Sequence, residues 1–427
     1  EAYHIICALL SADKGAWGDL TIIGTFDGNT SDEAGGAMSL WHSGSDGSTS
    51  PKHTVKGSYT NNQANVQGGA IALMGQNAFV VPGKTTISAY FEKNTAGDKG
   101  GAVFSENNNL TVSQSKFTGN SAVNYGGALY LTDTSAVIEN SEFTTNVVTA
   151  DASMGGAIYT DGKLEISNTN FTENSAKKYG GAIAGTVDGK GDVTITSGTF
   201  SKNTAGSGGA IALWSNGDVN EPSASSLAID GTTFDGNTAD RKGGAIAFLQ
   251  NHTSGGQLVQ ATIANATFTG NKAGLTGGAL QLEYAAATIS GSTFTGNSAT
   301  ENGGAVYVAD DASLALAGDN VFSDNTVGDK ANDIYSEGAI NVQSGKTTLG
   351  SGLVLANEAK VTIGSAESGA TLEVENLEMG ASTTITLGSQ KSDALSDASY
   401  LAVRNVKQIT GGIIAGENSV VSLGSSS

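Results

Sequence analysis

The chain has 427 residues, of which 60 are Gly, three are Pro and 15% are charged, and its formal net charge is −20. With only two Arg among its basic residues it lacks the footprint of a nucleic-acid-binding protein, and its charge opposes docking on anionic lipid. A long chain with this much Gly and so little charge favours one elongated body of short strands built from repeats.

The first segment, residues 1–19, is predicted to form an N-terminal cap. It holds the single cysteine, Cys7, so no disulfide can form within the chain. We interpret Cys7 as a buried, inert thiol. No apolar run anywhere in the sequence reaches the length of about 20 residues that a membrane-spanning helix needs.

From about residue 20 to residue 336 two short motifs alternate. Gly-Gly-Ala followed by Met, Ile, Leu or Val occurs ten times, beginning at Gly35, Gly68, Gly100, Gly126, Gly155, Gly180, Gly208, Gly243, Gly277 and Gly303. Before each copy stands aromatic-x-x-Asn, at Phe26/Asn29, Tyr59/Asn62, Phe91/Asn94, Phe117/Asn120, Phe143/Asn146, Phe171/Asn174, Phe200/Asn203, Phe234/Asn237, Phe268/Asn271 and Phe294/Asn297. An eleventh pair, Phe322/Asn325, precedes Asn332-Asp333-Ile334-Tyr335 and is interpreted as a decayed last copy.

Each repeat is predicted to contain two half-buried strands. One follows Gly-Gly-Ala, where apolar residues alternate as in Leu129 and Leu131, and the second precedes the aromatic residue, as with Leu164 and Ile166. Six residues separate the Asn from the first Gly in eight of ten copies, so that connection is geometrically fixed.

Repeats of this size cannot close a core alone, but they can coil so that each stacks on the last at about 4.8 Å. The sequence therefore predicts an all-β fold, a right-handed parallel β-helix (solenoid) in a single elongated body. Residues 1–336 supply about eleven repeats, with a buried aromatic column, an Asn amide ladder and tight Gly-Gly corners. Residues 337–427 lose the motifs but keep the alternation, so they are predicted to continue the solenoid irregularly.

The alternating GGA-[ILVM] and FxxN motifs, covering about residues 20 to 336, resemble the repeats of the chlamydial polymorphic outer-membrane protein family, which are passengers of type V autotransporters. The resemblance implies an adhesin on the cell surface, on the extracellular side of the outer membrane, or secreted. It also implies a host-cell or surface receptor, protein or glycan, as partner. A translocator barrel is expected outside these 427 residues.

The length of the repeat varies between the Gly-Gly-Ala strand and the next strand, and loops on a rigid scaffold are where binding usually resides. The alternation directs Trp41 and Trp214 outward beside long insertions, and stacking sets Met74 beside Trp41 and Leu249 beside Trp214. We therefore predict a candidate ligand surface made of Trp41, Met74, Trp214 and Leu249. The alternative is that the loops fold back and cover these residues.

Parallel β-helices also include polysaccharide lyases and glycoside hydrolases, which need carboxylates in a groove. The best carboxylates are Asp27, Asp235 and the pair Asp310 and Asp311, and no basic residue shares their register, so they are interpreted as solvated turn residues. The four His show no metal-ligand spacing. We assign no catalytic, cofactor-binding or metal residue, and predict an interaction protein rather than an enzyme, with a carbohydrate-active enzyme and a structural stalk as alternatives.

Overall fold

The computed structural model describes residues 19–42, 52–75, 83–186, 192–214, 226–249, 258–356, 358–365, 369–388, 399–416 and 419–424. Apart from turns, all secondary structure in these ranges is β-strand. The chain divides into two compact units, residues 1–206 with 210–213, and residues 207–209 with 214–427. The predicted cap, with Cys7, lies outside the described residues except for Asp19.

Three kinds of strand recur, and the first follows the Gly-Gly-Ala motif. Aliphatic residues alternate here because one side of the strand faces the interior. These GGA strands, including the two that continue the series past the last motif, are Met38–His42, Ile71–Gly75, Val103–Glu106, Leu129–Thr132, Ile158–Thr160, Ile183–Thr186, Ile211–Trp214, Ile246–Leu249, Leu280–Leu282, Val306–Val308, Ile334–Ser336 and Leu353–Leu355.

The second kind leads to the aromatic residue and is continuous in some copies and broken in two in others. We call these the Phe strands: Leu20–Asp27, Lys52–Thr60, Gly83–Glu92, Asn108–Ser113 with Lys116–Thr118, Ser135–Glu139 with Glu142–Thr144, Leu164–Thr172, Val193–Ser201, Ser226–Asp230 with Thr233–Asp235, Val259–Ala264 with Thr267–Thr269, Ala285–Ser290 with Thr293–Thr295, and Ser313–Ala317 with Asn320–Ser323.

The third kind was not foreseen from the sequence and lies just after the Asn. These Asn-turn strands are Thr30–Ser31, Gln63–Ala64, Thr95–Ala96, Ser121–Ala122, Val147–Val148, Thr204–Ser207, Thr238–Lys242, Lys272–Ala273, Ser298–Ala299 and Thr326–Val327, and the last pairs antiparallel with Lys330–Ala331. Most of these strands have only two residues, because the connection between Asn and Gly that contains them has a fixed, short length.

Strands of one kind pair in parallel with the same strand of the next copy, without a shift of register. Val103 lies opposite Ile71 and Leu129, and Phe117 lies opposite Phe91 and Phe143. Like side chains therefore stack in columns, and the parallel β-solenoid predicted from the repeats is confirmed.

The aromatic residues form a column in each unit, Phe26 to Phe200 in the first and Phe234 to Phe322 in the second. Neighbouring ring centroids within each unit are 4.5 to 5.0 Å apart and the planes lie within 15° of parallel. All but Phe26 are completely buried. Tyr59 fits this column, yet its hydroxyl is buried with no hydrogen-bond partner among the described residues.

The Asn side chains form a hydrogen-bonded ladder beside the rings. Asn120 is typical: its Nδ2 donates to Oδ1 of Asn146 at 3.0 Å and to the main-chain oxygen of Phe91 at 3.1 Å, while its Oδ1 accepts two bonds from Asn94. The two donor and two acceptor positions of the buried Asn120 side-chain amide are all filled, as the stacking argument predicted.

In the second unit the ladder ends on Asp333 of the decayed copy. Its Oδ1 accepts from Nδ2 of Asn325 at 2.8 Å, and its Oδ2 accepts from the main-chain N–H groups of Ser351 at 2.7 Å and Gly352 at 3.0 Å. Burial raises the pKa of the Asp333 carboxyl, although these hydrogen bonds act in the opposite direction. The copy that seemed decayed therefore carries the residue that closes the ladder.

The two Gly of each motif have different requirements. The first has φ between 61° and 71° in every copy, a conformation that L side chains rarely adopt. The second has no room for a side chain: a Cβ on Gly101 would lie 2.0 Å from the main-chain oxygen of Gly127 in the next copy. Both Gly are thus needed for the corner.

Beyond Asp333 the turns change. Phe322 precedes Ile334 by twelve residues, whereas Leu349, opposite Phe322, precedes Leu353 by four, so no Asn-turn strand fits between them. The later strands are Ala339–Val342, Gly345–Leu349, Lys360–Ile363, Ala370–Met379, Thr384–Leu387, Tyr400–Ile409, Gly412–Ile414 and Val420–Leu423. They pair in parallel with the preceding turn, so the described part of residues 337–427 consists of turns with two sides instead of three.

Candidate functional site

The sequence predicted a ligand surface on the outer side of the GGA strands. In the structure other parts of the chain cover much of this side. The residue before Gly-Gly packs against this side in two copies: Ala34 and Tyr125 lie against the cluster of Ala72, Met74, Phe104 and Tyr130. The Ser39 hydroxyl donates to the main-chain oxygen of Ala34 at 2.8 Å, and the Thr276 hydroxyl donates to Oε1 of Gln281 at 2.7 Å. Outward side chains are covered by this segment.

The predicted exposure of the candidate ligand surface is therefore wrong for three of its four residues. Met74 is 7%, Trp214 7% and Leu249 8% exposed. Met74 packs in a cluster with Ala72, Phe104 and Tyr130, since the outward side of these strands is covered as well as the inward side. The backbone of Trp41 pairs with Met74 as stacking predicted, but the Trp41 side chain lies outside the described residues.

A row of aromatic side chains occupies this outer side in the first unit. The rings of Phe104, Tyr130 and Tyr159 stack at 5.5 and 5.3 Å between centroids, nearly parallel. Tyr125, which precedes a Gly-Gly, meets Tyr159 edge to face at 5.0 Å. Tyr125 and Tyr159 are partly exposed, so this row, which we call the tyrosine row, presents aromatic edges to solvent.

The tyrosine row carries a cation. The Lys99 ammonium lies 5.0 Å from the centre of the Tyr130 ring and 5.8 Å from that of Tyr125, within the range of a cation–π interaction. Burial raises the pKa of Tyr130 to about 12, so its phenol stays neutral at physiological pH. The row can therefore offer ring edges, phenol hydroxyls and an ammonium group to a partner.

The corresponding side of the second unit is more polar. Tyr307 and Tyr335 stack at 5.6 Å, and both hydroxyls donate to the Glu337 carboxylate, at 3.0 and 3.4 Å. One turn earlier Glu283 forms an ion pair with Lys242 and accepts from Nε2 of Gln281 at 3.1 Å. Burial and the neighbouring Glu337 raise the pKa of Tyr307. We call this set the Tyr–Glu row.

The carboxylates weighed as catalytic candidates lie in separate turns. Asp27 accepts from the Thr60 hydroxyl at 2.7 Å and from the Asn61 amide at 2.9 Å, and these bonds hold its pKa below the ordinary value. Asp311 accepts from the main-chain N–H of Tyr284 at 3.1 Å. Across the ranges that the structure describes, no three His, Cys, Asp or Glu side chains are grouped so as to hold a metal ion.

The tyrosine row and the Tyr–Glu row were not predicted from the sequence. Their signal was present, because Phe104, Tyr130, Tyr159, Tyr307 and Tyr335 all stand at the second position of a GGA strand, in neighbouring copies.

Comparison with known proteins identifies the repeat. Six segments match the Chlamydia polymorphic membrane protein repeat: residues 88–106, 114–132, 168–186, 197–213, 231–249 and 291–309. Each contains one FxxN and the GGA that follows it, so the resemblance inferred from these motifs is confirmed. No curated protein and no solved structure matches the chain. Within the described ranges no helix is long and apolar enough to cross a membrane.

Proposed function

We propose that the chain is a passenger region displayed on a bacterial surface, where its solenoid attaches the cell to a host cell or another surface. The observation that carries the proposal is the presence of six polymorphic membrane protein repeats whose strands stack in parallel from copy to copy. Such a scaffold holds side chains and loops at fixed positions over many turns, which suits attachment to a receptor.

In this proposal the receptor contacts the segments of variable length that follow the GGA strands. It also contacts the exposed edges of the tyrosine row and the Tyr–Glu row. Tyr residues are enriched where binding energy concentrates, because they combine a large apolar ring with a hydrogen-bonding hydroxyl. Met74, Trp214 and Leu249 would support this surface from below, since they are buried.

We propose an interaction protein rather than a carbohydrate-active enzyme. The carboxylates of Glu283 and Glu337 lie in the same column of the solenoid, two turns apart. Each already has partners, Lys242 and Gln281 for the first and two phenols for the second. This pairing favours a packing and recognition role for them over acid–base catalysis.

Adhesion can be tested with beads coated with the chain and applied to cultured epithelial cells. We expect more attachment than with albumin-coated beads, and inhibition by the free chain. Tyr125→Ala with Tyr159→Ala should weaken attachment on the order of tenfold, the effect of losing an interfacial aromatic contact. Tyr90→Ala, on a Phe strand, is the matched control and should attach as the unmodified chain does.

Two results would contradict the proposal. One is attachment no higher than that of albumin. The other is turnover of a polysaccharide from a panel of neutral and acidic polymers, which would support the enzyme. Attachment unaffected by the paired tyrosine variant would remove the tyrosine row from the contact surface.

A further inference from the structure

One histidine lies in the interior of the first unit. His53 stands near the start of the Phe strand Lys52–Thr60, and the alternation of that strand directs it inward together with Val55. It is 7% exposed. Of the His, Asp, Glu, Lys and Arg side chains that the structure describes, only His53 and Asp333 are buried, and Asp333 belongs to the second unit. The first unit therefore holds one buried group that titrates near neutral pH.

The interior column that contains His53 is otherwise uncharged. Its members, from turn to turn, are Leu20, His53, Thr85, Leu110, Ala136, Leu164 and Val193. His53 thus lies between an aliphatic residue and a threonine. Such a place suits a neutral imidazole, because burying a charge costs far more than burying a neutral polar group.

The charged groups near His53 lie outside this column. Asp19 accepts a hydrogen bond from the main-chain N–H of Lys52 at 3.1 Å and is exposed. Lys52 and Lys84, on the two paired strands, are also exposed. Burial lowers the pKa of the His53 imidazole, and the charge of Asp19 acts in the opposite direction with a smaller effect. The neighbouring GGA strands contribute aliphatic inward residues, Leu40 and Leu73.

The direction of the pH effect follows from the two states of this side chain. An imidazole that opening exposes to water has the ordinary pKa of about 6.5. In the closed form the pKa of His53 is lower, so the opened form binds a proton more readily. The stability of the closed form is therefore fully present above about pH 6.5 and is lost as the pH falls below that value.

The strand Leu20–Asp27 is the element whose detachment exposes His53 at the least cost. Among the described residues it pairs only with Lys52–Thr60, whereas Lys52–Thr60 pairs on both sides. Leu20 is half-buried, and Phe26 is 7% exposed although the later rings of its column are completely buried. This strand is thus held less firmly than those that follow it.

We propose that protonation of His53 releases the strand Leu20–Asp27 from Lys52–Thr60, so that the first described turn of the solenoid opens in acid. Release uncovers Val55 and Tyr59, which are completely buried in the closed form. The chain would then present a sheet edge and apolar side chains in acidic surroundings that it conceals at neutral pH. This inference goes beyond attachment to a surface and does not depend on it.

Hydrogen exchange of the full chain tests the proposal. Between about pH 7.5 and about pH 5.5 the protection factors of the hydrogen-bonded amides in Leu20–Asp27 should fall about tenfold, as expected for an imidazole that is neutral when closed and ordinary when open. Those of Val193–Ser201, a later Phe strand of the same unit, should stay constant. A constant protection factor in Leu20–Asp27, or an equal fall in both strands, would overturn the proposal.

Replacing the imidazole gives the decisive variant. His53→Leu continues the aliphatic column and should abolish the pH dependence in Leu20–Asp27. The matched control replaces the other three histidines, His4, His42 and His252, by Gln and should retain the tenfold fall. If His53→Leu fails to fold, His53→Gln, which is polar but does not titrate, should give the same constant profile. A fall that persists without His53, or that disappears in the control, would refute its role.

Discussion

The three-sided turns of the repeats and the two-sided turns after Asp333 both bury a column of side chains, but they stack different residues. Repeats stack Phe on Phe and Asn on Asn, so each turn provides its neighbour with an identical partner. The later turns stack Leu349, Val374 and Val403 and run directly into the next strand. The difference teaches that the third side exists only where Asn side chains can satisfy the buried corner.

Asp333 marks the boundary between these two designs. Without a carboxylate there, Nδ2 of Asn325 and the N–H groups of Ser351 and Gly352 would lack their shared acceptor. Each Asn side-chain amide in the ladder donates a hydrogen bond to the Asn of the next copy. The last one, Asn325, therefore needs a residue that only accepts, and Asp333 is that residue.

The largest expected loss of stability comes from truncating a side chain in the aromatic column of the repeats, compared with one in the aliphatic column after Asp333. Phe171→Ala removes a fully buried ring between two others and should cost about 3–5 kcal/mol of local stability. Val374→Ala should cost about 1–2 kcal/mol, because fewer methyl groups are lost. Hydrogen exchange of the surrounding strand amides measures both; equal costs would show that the columns do not differ in packing.

The role of Asp333 at the end of the ladder can be tested with an isosteric substitution. Asp333→Asn retains one acceptor but turns an amide NH₂ toward the N–H groups of Ser351 and Gly352, which should cost about 2–3 kcal/mol in urea unfolding. Asp329→Asn, at an exposed position four residues earlier, is the control and should be neutral within about 0.5 kcal/mol. A neutral Asp333→Asn would mean that the carboxylate is not what ends the ladder.

A smaller effect sharpens the account of the aromatic column. Tyr59→Phe removes the buried hydroxyl that lacks a partner while keeping the ring between Phe26 and Phe91, so we expect a stabilisation of about 1 kcal/mol. Tyr90→Phe, whose hydroxyl donates to Glu92 at 2.8 Å, should not stabilise. Thermal unfolding of both variants gives the comparison; a destabilised Tyr59→Phe would reveal a partner for that hydroxyl.

The repeats allowed the fold to be predicted because stacking leaves one way to align ten copies. Phe117 over Phe143 and Asn120 over Asn146 followed directly from the spacing of the motifs. The Asn-turn strands were missed because two residues carry no periodicity that a sequence pattern can reveal.

The candidate surface was harder to predict. Alternation says that Met74 and Trp214 point away from the interior, but it does not say what lies against them on the other side. For Met74 it is the cluster with Phe104 and Tyr130, which residues of neighbouring copies complete. The loss of the Asn-turn strand was equally hidden, since it depends on a connection shortened to four residues between Leu349 and Leu353.

The close approach of successive corners has an evolutionary consequence. In eight of the ten motifs a Cβ on the second Gly would lie 1.9 to 2.2 Å from the main-chain oxygen of the second Gly in the next copy, so the seams between these copies are equivalent. Unequal recombination that inserts or removes a whole copy restores an equivalent seam, whereas an insertion between Asn and Gly disrupts it. Genes encoding such chains can therefore vary in the number of copies while the sites carried by each copy are inherited intact.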